Sequence, residues 1–493
     1  PDALPWPGRM SAKLLLAAVV LVVLLGAALR LAALDAMEFK GDERESLLLA
    51  QQFIAERPWA TDHAFPVYGL ISSNGVGNAP LFTWIVAGFW AIAPSPVGVT
   101  RIIALLNVLT FFPLWCWARR RMSDWRAVMT VAVVAFSPFY VLYSRKIWAP
   151  DLMLASLLTV LWAIEWWRDG RPWRALALVL VATLVVGQLH QSGPIALLLL
   201  PIAAGVQWLV DRRSGHDYRW PRPTAGEIVA LVFLVAINLF FWLPYLNYFF
   251  SLPAETFARR KVVEDWTPEL LRKAALQVVP TDIFYFFDPH RYAFLDGVWR
   301  SRSYAWAVNT GWVLLAYGAW RWIRRPHTLP VVGVWWLMIV AVFAAARILT
   351  QPYYVLILAP LTAVLPAGGF DPPRPNRFID SALATVRLAH ALSLLVLSAT
   401  LLAWLAGRQG AAGEYGVAYA TREVQARQLA AGLPSPEARN PELACGDMPI
   451  EVQWLAQWRA KGRSADARLQ MCDGWVLERG ELVYRWQLRP ASN

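Results

Sequence analysis

The sequence predicts an all-α protein that crosses a membrane many times and carries a small α/β or α+β domain beyond its last span. Three observations lead there. The chain is 57% hydrophobic and only 16% charged, where soluble domains carry about 25% charged residues. Its apolar residues gather in runs close to the ~20 needed to cross a bilayer. Its arginines concentrate in alternate short loops, as the positive-inside trend requires.

Spans are expected near 14–34, 98–118, 127–143, 151–167, 174–190, 194–210, 226–245, 306–323, 330–346, 353–366 and 384–406, about eleven in all. With a cytoplasmic N-terminus, the inside loops hold Arg119, Arg120, Arg121 and Arg126, then Arg168, Arg171 and Arg174, then Arg212, Arg213, Arg219 and Arg222. Later inside loops add Arg321, Arg324 and Arg325, then Arg374, Arg377 and Arg387. The short outside loops hold Arg145 and Lys146, no cation around Ser192, and Arg347. Segment 80–93 is only 14 residues long and bounded by Pro80 and Pro94. Counting it as a span would invert every later loop, so it reads as a helix in the outer interface. The first span fits an uncleaved anchor or a signal sequence, since Arg9 and Lys13 precede its apolar core. Arg30 and Glu165 fall near span ends, where they are expected to snorkel.

This topology divides the chain into a membrane domain, 1–406, and an external C-terminal domain, 407–493. Two further external segments, 35–97 and 246–305, lie on the same face, which points to a reaction site at the outer surface of the membrane. Most of the 28 tryptophans, such as Trp115, Trp148, Trp166 and Trp242, sit near the ends of apolar runs and read as interfacial anchors. The net charge of +12 follows membrane topology, and no basic run interleaved with aromatics suggests nucleic acid. Cys116 falls in a span as an apolar filler, whereas Cys445 and Cys472 fit either a disulfide in an oxidising compartment or two unrelated thiols.

The chemistry-bearing residues cluster on the outer face. Asp42 and Glu43 open the first external loop. Asp42 with Glu45 three residues on reads as a capping-box start, and a capping carboxylate still accepts a proton. The Gly-, Ser- and Asn-rich run from Tyr68 to Pro80, including Asn78, offers backbone amides to a phosphate or sugar, or is a plain connector. Arg145 and Lys146 stand in a charge-poor outer loop, facing either an anionic partner or Asp151. Arg347 precedes Tyr353 and Tyr354 at another outer span end; Arg259, Arg260 and Lys261 suit anionic headgroups; His190 is a satisfied polar residue or a base. No zinc-ligand spacing, nucleotide-binding loop or nucleophile elbow is present, so no cofactor is implied and a divalent metal is not indicated.

Taken in order, these pieces resemble the GT-C glycosyltransferases, and more narrowly family 39, which holds protein O-mannosyltransferases and lipid A aminoarabinose transferases. The resemblance covers roughly 14–366. It rests on Asp42-Glu43 after the first span, Ala79-Pro80-Leu81 opening a short aromatic helix, and Thr100-Arg101 at the next span. It continues through Ser137-Pro138, Ser144-Arg145 and Pro150-Asp151 to the tyrosines and prolines of Pro352-Tyr353-Tyr354 and Pro360-Leu361. What it implies is inverting transfer of a sugar from a polyprenyl-phosphate carrier to a glycan, lipid or protein hydroxyl at the outer face. Asp42 would be the base beside Glu43; Arg145, Lys146 and Arg347 would hold the donor phosphate; Asn78, His190, Tyr353 and Tyr354 would line the substrate. The chain departs from the aminoarabinose transferases in having Asn78-Ala79 where they carry a lysine, and 246–305 is too short for the inserted domain of the O-mannosyltransferases. A flippase or transporter of polyprenyl-linked glycans and a non-catalytic scaffold are the rival readings.

Overall fold

The structure, a computed structural model, describes residues 11–253 except 62, 73–74, 121, 191–192 and scattered positions between 198 and 220. Beyond these it describes 255–256, 275, 278–281, 283–324, 377–413, 415–431, 444–446, 449–459, 469–478 and 481–490. Among the described residues, six helices are long and apolar enough to cross a bilayer: Ala12–Leu31, Pro96–Arg119, Ala149–Trp167, Pro172–Leu189, Ala225–Ser251 and Ser381–Gly407. The spans expected at 330–346 and 353–366 lie outside the described residues, and the one at 194–210 lies partly outside them.

Helix α1 (Ala12–Leu31) starts where the Ser11 hydroxyl accepts the Leu14 amide at 3.3 Å. In the connection that follows α1, α2 (Gly41–Glu56) packs on α3 (Leu81–Ile92), and the twelve residues of α3 are too few to span. Pro96 and the Ser95 cap start α4 (Pro96–Leu109), which runs on through Thr110 into α5 (Phe111–Arg119). Next come α6 (Asp124–Phe136), α7 (Pro138–Tyr143), α8 (Met153–Arg168) and α9 (Pro172–Leu189). Thr224 and Glu227 form the capping box that opens α10 (Ala225–Ser251), and α11 (Val298–Arg324) and α12 (Arg377–Gly407) then pack on each other.

The centre of the bundle is α6, buried at every position from Arg126 to Phe136 and contacted by α1, α5, α7 and α12. The single span expected at 127–143 is broken at Ser137 because Pro138 has no N–H to continue the helix. The break orphans the last carbonyls of α6, and Arg30 repairs it. Its guanidinium donates to the Ala135 and Val134 carbonyls at 2.7 and 3.2 Å, while the Ser398 hydroxyl of α12 donates to Phe136 O at 2.6 Å. Arg30 therefore does not snorkel: it is fully buried with the face of Phe111 4.8 Å from its guanidinium carbon. Glu165, also expected to reach the interface, is buried too. In both cases neighbouring helices cover a span end that hydropathy alone reads as exposed.

The C-terminal part is of α+β type. A short hairpin of β1 (Gly410–Ala411) and β2 (Gly416–Val417) leads into α13 (Tyr419–Ala430). Gly410 has φ +113°, and a Cβ there would run into the Gly416 carbonyl. Helix α14 (Ile450–Arg459) packs on α13, and β3 (Ala444–Gly446), β4 (Leu469–Glu478) and β5 (Glu481–Pro490) form an antiparallel sheet in that order. The stretch just after α12 is stitched to the membrane domain. Tyr419 N donates to Met37 O at 2.9 Å, Tyr415 N to Phe286 O at 2.9 Å, and Ala412 N to His290 Nδ1 at 3.1 Å. Phe39 meets the rings of Tyr419 and Trp454 at 5.3 and 6.1 Å.

Candidate active site

Three short pieces converge at the C-terminal end of α1: the connection 34–40, the first turn of α2, and the loop 144–152 between α7 and α8. Lys146 lies at their meeting point. Its ammonium is 2.8 Å from Glu38 Oε2 and 3.4 Å from Glu43 Oε1, and Glu38 Oε1 is 2.6 Å from Lys40 Nζ. The Trp148 ring centroid lies 4.5 Å from the same ammonium, adding a cation–π contact. Burial penalises this ammonium, but Glu38, Glu43 and Asp151 together hold its pKa well above the ordinary lysine value. Lys40 likewise stays raised against its burial, through Glu38 and Glu43.

Glu43 is fully buried. Burial pushes its carboxyl up to about 7, opposed by Lys146 and Lys40 and reinforced by Glu38 and Asp42. It also occupies the third position of α2, where its Oε2 accepts the Lys40 amide at 3.1 Å. The capping box expected from Asp42 and Glu45 is therefore shifted: Lys40 is the cap residue, and Glu43 closes the turn. Asp42 is left exposed at the second helical position, at the positive end of the helix dipole. Asp151 is buried, accepts the Trp148 amide at 3.1 Å through Oδ2, and has no hydrogen-bond partner at Oδ1 among the described residues.

The other expected residues divide. Arg145 turns away from this cluster: its terminal nitrogens donate to Leu29 O at 2.7 Å and Ala33 O at 2.6 Å, closing the end of α1, and burial lowers its pKa. His190 stands behind Trp148 with ring centroids 6.5 Å apart. Asn78 is buried in a small hairpin where Ile71 bridges Gly77, and its Nδ2 donates to Leu70 O at 3.1 Å. The backbone amides of Gly69, Ser72, Gly75 and Asn78, expected to be available to a ligand, are instead bonded within that hairpin, because pairing across a tight turn satisfies them locally. Tyr245 OH donates to Gly77 O at 3.1 Å, and Tyr68 stacks on Tyr248 at 4.5 Å, tying the hairpin to α10. Arg347, Tyr353, Tyr354 and the 259–261 cluster lie outside the described residues.

Sequence reasoning missed Glu38, Lys40 and Tyr415. The alternation of charge in Glu38-Phe39-Lys40 just past a span is a signal for the first two. Nothing local marks Tyr415, whose hydroxyl donates to Ala36 O from 379 positions away. Among the described residues no three His, Cys, Asp or Glu side chains gather as a metal-binding group.

An apolar groove of about 650 Å³ is lined by Ile85, Phe89, Leu106, Leu152, Trp162 and Leu189 among others. Of these, Leu152 and Leu189 neighbour Asp151 and His190 in the chain. Along α8 the groove continues to Trp166, a run of roughly 20 Å at 1.5 Å per residue.

Comparison with known proteins bears on this arrangement. A family model described as dolichyl-phosphate-mannose-protein mannosyltransferase matches residues 77–242. No curated protein matches the chain significantly in sequence. Among solved structures, the crystal structure of ArnT from Cupriavidus metallidurans bound to undecaprenyl phosphate superimposes with a TM-score of 0.50 at 14% identity, over 90% of this chain and 84% of that one. The chain shares the GT-C fold of that structure.

Proposed function

We propose that the protein is an integral membrane glycosyltransferase that takes a sugar from a polyprenyl-phosphate donor and passes it, with inversion, to an acceptor hydroxyl. The reading is supported by the matched family model, by the undecaprenyl phosphate named for the ArnT structure, and by the fold. The observation that carries it is the buried Lys146 held by Glu38 and Glu43, with the exposed carboxylate of Asp42 next to Glu43 on α2 and an apolar groove whose lining includes Leu152, the neighbour of Asp151. The groove suits an isoprenoid chain and the ammonium suits the phosphate at its head. Asp42 takes the proton of the acceptor hydroxyl as its oxygen attacks the anomeric carbon. The bond from that carbon to the phosphate oxygen breaks, and Lys146 stabilises the charge that collects on the departing phosphate. The site faces the outside of a bacterial inner membrane, with the N-terminus cytoplasmic and the C-terminal domain external. Glycan, lipid and protein hydroxyls are the acceptor classes.

The test is reconstitution in nanodiscs with a panel of polyprenyl-phosphate sugars and envelope extract, following sugar incorporation and polyprenyl-phosphate release. Asp42→Asn changes one exposed side chain outside the capping contacts and removes the base, so release is expected to fall about 100- to 10,000-fold without loss of folding. Full release by the variant removes Asp42 from the reaction, and no donor consumed by the wild type removes the transferase reading.

A further inference from the structure

We infer that Glu38 is a positioning residue of the candidate site: its hydrogen bond to Lys146, backed by the ion pair from Glu43, orients the ammonium toward the ligand. The inference rests on the transferase reading for its kinetic arm. Glu38 itself is held from two sides. Its backbone pairs with Ala418 in an antiparallel bridge, anchoring it to the segment just after α12, and its side chain is 3% exposed. From that fixed point one carboxylate oxygen reaches Lys146 at 2.8 Å and the other reaches Lys40 at 2.6 Å. Glu43, on α2, lies 3.4 Å from the same ammonium.

An ammonium has three donors and no acceptor. With one N–H bonded to Glu38, the Glu43 carboxylate 3.4 Å away and the Trp148 face packed against it, the ammonium's orientation is restricted before any ligand arrives. A cation aimed in advance costs no reorganisation when charge develops on a leaving phosphate. Glu38 also tunes the charge of the cluster. The titratable and charged groups facing Lys146 and Glu43 are Glu38, Lys40, Asp42, Tyr143, Asp151 and Tyr415. Of the carboxylates, Glu38 is the one nearest to Lys146. Removing its charge makes the ammonium easier to deprotonate and the Glu43 carboxyl easier to ionise.

The test uses the full chain in nanodiscs, with Glu38→Gln, Lys146→Gln and the double variant, and a polyprenyl-phosphate sugar that the wild type consumes. Glu38→Gln is expected to lower kcat about 10- to 100-fold with a smaller change in KM for the donor, and to move the alkaline limb of the pH–rate profile downward. In the Lys146→Gln background the same change should cost nothing further. Equal losses in both backgrounds, or an unmoved alkaline limb, overturn the inference, since a merely structural residue behaves that way. If Glu38→Gln does not fold, Glu38→Asp keeps the charge and withdraws it by one methylene. A reduced kcat then supports positioning, and a wild-type kcat refutes it. A second arm needs no turnover: acetic anhydride labelling of Lys146, read by mass spectrometry, should rise at lower pH in Glu38→Gln. Unshifted labelling overturns the inference even where no donor is consumed, whereas wild-type inactivity with shifted labelling sinks only the transferase reading.

Discussion

Replacing Arg145 separates the phosphate-binding role expected from the sequence from the helix-closing role its contacts give it. Its guanidinium is 2% exposed and satisfies two carbonyls at the end of α1, those of Leu29 and Ala33. In Arg145→Met the long side chain still fills the space, but both carbonyls lose their donor. Orphaning a buried polar group costs about 1–3 kcal/mol, so two cost roughly 2–6 kcal/mol, and release of a buried charge offsets part of this. The expected net loss is about 2–4 kcal/mol. Arg145→Lys should recover little of it, because one ammonium on a flexible stem does not reproduce the planar fork that spans both carbonyls. The assay pairs unfolding in detergent, by intrinsic tryptophan fluorescence, with binding of polyprenyl phosphate to the folded fraction. Destabilisation with nearly unchanged affinity per folded molecule is the expected result. Wild-type stability with lost affinity would refute the reasoning and make Arg145 a ligand of the phosphate.

Other outcomes follow from the same geometry. Glu43 ionises near pH 7 and holds Lys146 only when charged, so turnover should rise as pH passes upward through about 7. Glu43→Gln should flatten that limb, and a limb surviving at the same pH would assign it to another group. Cys445 and Cys472 are register partners on neighbouring antiparallel strands, at a backbone separation that suits a disulfide. Non-reducing mass spectrometry of alkylated protein should find them joined, with reduction costing roughly 3–4 kcal/mol of stability; two alkylated thiols would reject the bridge. In Gly77→Ala the new Cβ would stand 2.9 Å from the Tyr68 side chain, which stacks on Tyr248. Hydrogen exchange in 68–79 should accelerate, reflecting a local loss of about 1–3 kcal/mol, and unchanged protection would mean the hairpin is not held by that stack.

Much of the fold was legible because crossing a bilayer restricts sequence so strongly. Runs such as Ala12–Leu31 and Ala225–Ser251 announce helices by hydropathy, and Ser95-Pro96 and Thr224 through Glu227 announce where helices begin. The acidic pair at 42–43 and the cations at 145–146 were equally visible, being charges where a membrane chain has few. Their division of labour was not. Adjacent residues on a helix point about 100° apart, so Asp42 is exposed while Glu43 is buried; in the loop after α7, Arg145 turns to the end of α1 while Lys146 meets Glu38. Arg30 illustrates the same limit. Its sequence position permits snorkelling, and only the break at Pro138, 108 positions later, leaves carbonyls for it to satisfy. Hydrophobicity and helix signals are local, so the sequence by itself determined the apolar helices, such as Ala12–Leu31 and Ala225–Ser251, and the charged candidates. Which charges meet depends on contacts between residues far apart in the chain, such as Glu38 with Lys146 and Ala418, and those only the tertiary structure decided.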